Sequence, residues 1–165
     1  MPGRELTLEA VPIDYPEGCN VILGQTHFIK SIEDIYEAVA GAAPGGRFGT
    51  AFSEASGPRL VRSDGTDPEL TRIAEAAMMK LGCGHTFIVV LSGIWPIQVM
   101  GALKQVPEVC SIFCATANAM AALVARSDSG GGIVGVIDGE SPLAVESPED
   151  VDARKALLRR FGYKR

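Results

Sequence analysis

A chain of 165 residues with a 47% hydrophobic fraction can bury a core of its own, which excludes an intrinsically disordered segment. Its net charge of −5 and lack of any lysine- or arginine-rich run argue against nucleic acid, since affinity for a phosphate backbone needs clustered cations. No stretch holds the roughly eighteen uncharged apolar residues of a membrane helix; "MPGRELTLEAV" has no secretory core, so the expected location is the cytoplasm.

In chain order, "ELTLEAV" alternates as a one-sided strand does, "YPEG" makes a turn, and "CNVILG" is a second strand. Ser31 is the expected cap of a helix whose apolar stripe is Ile32, Ile35, Tyr36 and Val39. "RFGTAFSEA" and "RLVRS" read as a hairpin joined through "SGP". "DGTDPELTRIAEAAMMKLGCG" carries a full set of helix signals: Asp67 as cap, Pro68 in the first position, and glycine at the end. "HTFIVVL" is apolar on both faces, as a central strand covered on both sides would be. "PIQVMGALKQV" is expected to be helical, "EVCSIFCAT" a strand, and "AALVARS" with "GIVGVID" a hairpin around glycines 130 to 132. Ser147 and Pro148 open a last helix that Gly162 stops. The expected fold is α/β: one domain over residues 1–165, a layered sandwich with a mixed β-sheet flanked by helices.

Cysteines 19, 83, 110 and 114 form no Cys-x-x-Cys pair and read as reduced, buried thiols, Cys110 and Cys114 as small core residues, rather than metal ligands; no metal site is expected from them. Gly-Lys occurs nowhere, which excludes a Walker A loop.

The chain has only two histidines, and both sit at the mouths of elements. His27 lies between a strand and a helix start, where unpaired amides favour an anion; a neutral imidazole there could attack a phosphoryl group or act as a base. His85 follows "GCG", whose glycines let a ligand approach backbone. Either ring could also be an ordinary boundary histidine held by backbone hydrogen bonds. If ligands gather beyond the carboxyl ends of parallel strands, the further candidates are Gln25, Thr26, Glu54, Ser92, Asn118 and Asp138. Arg59 could neutralise phosphate, and Glu54 or Asp138 could hold magnesium. Asn118 could read a base edge, since its amide both donates and accepts.

The segments "GQTHFIKSIEDIYEA", "FGTAFSEASGPRLVRSDGTDPEL", "GCGHTFIVVL", "CSIFCATAN", "GIVGVIDGESP" and "RKALLRRFGYKR" together resemble the small adenosine-specific kinase family of archaea and bacteria. The resemblance implies a compact α/β homo-oligomer, a trimer or hexamer, that recognises adenosine or AMP. It also implies a histidine able to carry phosphate, here His27 or His85. The expected function is an adenosine/AMP-binding phosphotransferase acting through phosphohistidine on the ribose 5′-hydroxyl, with the phosphate donor left open and magnesium as the possible cofactor. The alternative is a sensor that binds adenosine or AMP without turnover.

Overall fold

The structure is a computed structural model that describes residues 5–164. The first four residues of the expected 1–165 domain, and the last arginine of the "RKALLRRFGYKR" tail, lie outside the described residues. Twelve elements follow one another: β1 (Thr7–Ile13), β2 (Cys19–Thr26), α1 (Ser31–Ala42), β3 (Arg47–Ser53), β4 (Val61–Gly65), α2 (Pro68–Leu81), β5 (Thr86–Ser92), α3 (Pro96–Leu103), β6 (Val109–Thr116), β7 (Met120–Ser127), β8 (Gly130–Asp138) and α4 (Pro148–Arg160).

The α/β class holds, but the strands make two sheets rather than one mixed sheet: five strands in the order β4-β3-β5-β2-β6 and three in the order β1-β7-β8. Every strand pairing is antiparallel. The physical reason lies in the connections: two hairpins and the helical returns bring each strand back against its neighbour's direction. The rule about parallel strand ends therefore has nothing to act on. Antiparallel pairing instead places the end of one strand beside the start of the next.

β5 is central and apolar from Phe87 to Leu91, as its sequence requires, because both faces are covered. On one face Ile22, Phe48, Phe52, Phe87, Val89 and Leu91 meet Ile35 and Val39 of α1 and Val99 and Leu103 of α3. On the other, Val21, Leu23, Ala51, Ile88 and Val90 meet α2 through Leu70, Ala74, Met78 and Leu81, and the inner face of the small sheet through Val11, Met120, Ala122 and Val124. Burying each Leu, Ile or Phe contributes about 1.5–3 kcal/mol, so these two layers fix how the strand ends sit.

α2 forms as its sequence predicts. Asp67 accepts from the amides of Glu69 and Leu70, Pro68 opens the helix, and Gly82 closes it in left-handed backbone at φ 57°. α1 begins differently from expectation. Lys30 is its cap residue, and the Ser31 hydroxyl donates to the Phe28 carbonyl from inside the first turn. α4 has the expected Ser147 cap but no buried residue.

Candidate functional site

The antiparallel register brings the end of β2, the start of β5 and the end of β3 to one end of the large sheet. There His85 holds the backbone together from both sides. Its N–H donates to the Ser53 carbonyl at 2.7 Å, and its carbonyl accepts from Thr26 N–H at 2.8 Å. To do so His85 adopts φ 59°, and Arg59 in the β3–β4 loop adopts φ 53°; these are the two non-glycine residues with positive φ among the described residues. Left-handed backbone is uncommon for a side-chain-bearing residue, and it gathers where surrounding structure imposes a function. The His85 ring is half-buried and stacks on Phe52, with centroids 5.9 Å apart and planes 19° from parallel. Gly84 is required just before it, since a Cβ there would lie 2.7 Å from the Ala55 Cβ.

At this end of the sheet three buried polar atoms lack a hydrogen-bond partner among the described residues: Thr26 Oγ1, Ser53 Oγ and Glu108 Oε2. They come from the end of β2, the end of β3 and the turn before β6, and so share this end of the sheet. Unsatisfied buried oxygens cost stability and mark where a ligand or water completes the set. Glu108 is held through its other oxygen by Lys30 at 2.9 Å. Hydrogen bonds to Asp34 and Glu108 push the Lys30 ammonium above its ordinary range.

Glu54 stands at the same end and is fully engaged. Oε2 accepts from Leu60 N–H at 2.8 Å, while Oε1 accepts from Arg62 Nε and Nη2 at 2.9 and 2.8 Å. The Leu60 amide and then Arg62 hold its carboxyl below the usual carboxylate range. Arg59 is exposed, and no carboxylate among the described residues pairs with it. A cleft of about 740 Å³ opens on the α2 side of this end, lined by Ser53, Glu54, Arg59, Cys83, Gly84 and Gly130–Gly132; the His85 ring, stacked on Phe52, is not part of its lining. The glycines expected to form the β7–β8 loop are instead strand residues facing that cleft, the turn being Asp128 and Ser129.

His27 is exposed, and its ring neighbour is Phe28, with centroids 6.5 Å apart. The expected anion seat at the first amides of α1 is already taken: Ser31, Ile32 and Glu33 donate to the carbonyls of residues 28 to 30 at 3.0, 3.2 and 3.2 Å. The chain turns helically before the helix proper, so the amides opening that turn are those of Phe28, Ile29 and Lys30, directly after His27. Gln25 is exposed on the same strand end, paired with Thr86 and Ser111.

Six expected residues thus lie at one end of the sheet: Gln25, Thr26, His27, Glu54, Arg59 and His85. Ser92, Asn118 and Asp138 do not join them. Ser92 pairs with Cys19 and Arg47 at the opposite end, where Asp138 accepts from Thr116 and Asn118. Six steps of β2 separate Asn20 from Thr26, roughly 20 Å at the rise of a strand, further than one nucleoside reaches. Glu54 and Asp138 therefore cannot share a magnesium ion, and Glu54 has no unengaged oxygen for one. No group of three His, Cys, Asp or Glu side chains forms a metal cage among the described residues. Ser53, Lys30 and Glu108 escaped sequence reasoning, because only three-dimensional burial shows an atom without a partner.

Residues 11–164 match a family described as "Adenosine specific kinase". The chain belongs to that family. It is similar, at 36% identity and a TM-score of 0.93, to the crystal structure of PH1918 protein from Pyrococcus horikoshii OT3, covering 98% of this chain and 99% of that one. No curated protein sequence matches the chain.

Proposed function

We propose that the protein is an adenosine/AMP phosphotransferase in which His85 carries the phosphoryl group. The observation that supports this most is the left-handed His85 clasp, at an end of the sheet where three buried side-chain oxygens lack partners among the described residues. A neutral imidazole nitrogen of His85 attacks a phosphoanhydride donor; the P–N bond forms, the P–O bond to the leaving phosphate breaks, and the ring's other proton goes to solvent. Adenosine bound at this end of the sheet then attacks phosphorus through its 5′-oxygen. The P–O bond of AMP forms, the P–N bond breaks, and the freed imidazole takes the hydroxyl proton. Arg59 and the amides of Phe28–Lys30 would donate to the transferring oxygens. Magnesium would enter with the donor's phosphates, which supply most of its ligands; no step runs through it. His27, exposed beside those amides, would assist in binding rather than carry phosphate.

Incubation with ATP and adenosine tests this: AMP is expected from the wild type and none from His85→Asn. Binding of adenosine without any AMP, by wild-type protein, would leave only the sensor. Asparagine is the suitable replacement because it also tolerates left-handed backbone.

The expected homo-oligomer, trimer or hexamer, is part of the same proposal. It draws support from α4, which buries nothing, and from Leu143 and Val145, which are 101% and 94% exposed. An isolated helix of this length is marginal in water, so a second copy would cover it. Sedimentation should show an assembly that Leu143→Asp with Val145→Asp reduces to monomers; a monomeric wild type would refute it. No helix among the described residues is long and apolar enough to cross a membrane. The four cysteines are free, which fits the reducing cytoplasm expected for the chain; Cys19 and Cys83 are buried, but Cys110 is exposed and Cys114 half-buried on β6 rather than core residues.

A further inference from the structure

The cleft at the opposite end of the sheet has a built interior of its own. It holds about 520 Å³ and is lined by Trp95, Thr116, Asn118, Asp138, Phe161 and Tyr163. Thr116, only 6% exposed, donates to Asp138 Oδ1 at 2.6 Å and accepts from Asn118 N–H at 2.9 Å. The Asn118 side-chain amide donates to the same Oδ1 at 3.1 Å, and the Tyr15 hydroxyl donates to the Asn118 carbonyl. Gly139, at φ 65°, keeps this arrangement open, since a Cβ there would lie 3.0 Å from Asn118 Nδ2. One carboxylate oxygen is therefore doubly engaged, while Oδ2 of Asp138 has no donor among the described residues. Asn118 Nδ2 retains a second hydrogen. An acceptor and a donor stand side by side, facing exposed rings: Trp95 is 58% exposed and lies 6.5 Å from Phe161.

We propose that this cleft is a second binding site, separate from the histidine end, for a flat base that offers an amino donor beside a ring-nitrogen acceptor, as adenine does. Asp138 Oδ2 accepts from the amino group, Asn118 donates to the ring nitrogen, and Trp95 supplies a face for stacking. Guanine presents two adjacent donors along the corresponding edge, and the Asn118 N–H opposes the second. The choice of adenine among amino-bearing rings rests on the proposed adenosine function; the existence of the site does not.

Trp95 is the only tryptophan in the chain, so its emission reports on this cleft alone. Adenosine titrated into the whole protein should quench it saturably, and calorimetry should count two adenosines per chain. Asp138→Asn should weaken the quenching event at least about tenfold and reduce the count to one, and Asn118→Asp should do the same by replacing the donor. His85→Asn should leave the quenching intact. Guanosine should quench at least about tenfold more weakly than adenosine. Unchanged emission with adenosine overturns the proposal, as do quenching that survives in Asp138→Asn and quenching that disappears in His85→Asn. A wild type that makes no AMP would sink the phosphotransferase alone, because the quenching still decides this site.

Discussion

The two ends of the five-stranded sheet are made by the same strands, yet they expose opposite chemistry. At one end His85 is bent into left-handed backbone, Arg59 is free and three buried oxygens lack partners. At the other the polar groups have largely satisfied one another, and Asp138 is fixed by Thr116 and Asn118 beneath exposed aromatic rings. An end with unsatisfied donors and acceptors is poised to bind and transform. An end whose network fixes one spare acceptor beside one spare donor is poised to recognise a hydrogen-bonding edge.

Changes at His85 should break this contrast most completely. His85→Asn should abolish phosphoryl transfer in an AMP-formation assay while the protein stays folded, its stability lowered only by the lost stack on Phe52, about 0.5–1.5 kcal/mol. His27→Asn should retain most of the rate. Arg59→Ala comes next: the lost charge-assisted bonds should raise KM for AMP roughly tenfold or more in the reverse direction, with little effect on Trp95 emission. Gly84→Ala should destabilise by about 1–3 kcal/mol through the Ala55 contact and lower activity as well; chemical denaturation would measure the first.

Acid sensitivity is a smaller effect and belongs to the histidine end. The Glu54 carboxyl is held low by Leu60 N–H and Arg62, so native protein binds fewer protons than unfolded protein in that range. The stabilisation is complete above the unfolded carboxylate's range and is lost as pH falls through the depressed native value. Glu54→Gln should flatten the fall in melting temperature between neutral and acid pH. Arg154→Ala on α4, which breaks only an exposed pair with Glu146, should be the smallest change, within about 0.5 kcal/mol by thermal melting.

Much of the fold is legible in the sequence where local chemistry decides it. Asp67, Pro68 and Gly82 bound α2, and the unbroken apolar run of β5 requires cover on both faces. Strand direction is not legible, because it depends on which distant segment supplies the pairing edge. Reading strand ends as if parallel placed Ser92, Asn118 and Asp138 with the histidines, whereas antiparallel register sends them to the far end. The same register does bring His27 and His85 together. The strain at His85 and the orphaned Ser53 hydroxyl leave no mark in a residue pattern, since both arise from what surrounds them after folding.

The most direct test is intact mass, under conditions that preserve acid-labile phosphohistidine, after the protein is incubated with a phosphoanhydride donor. One added phosphoryl group is expected on the wild type and on His27→Asn, and none on His85→Asn. A phosphoryl group retained by His85→Asn, or absent from wild-type protein that still makes AMP, would contradict the assignment of His85 as carrier.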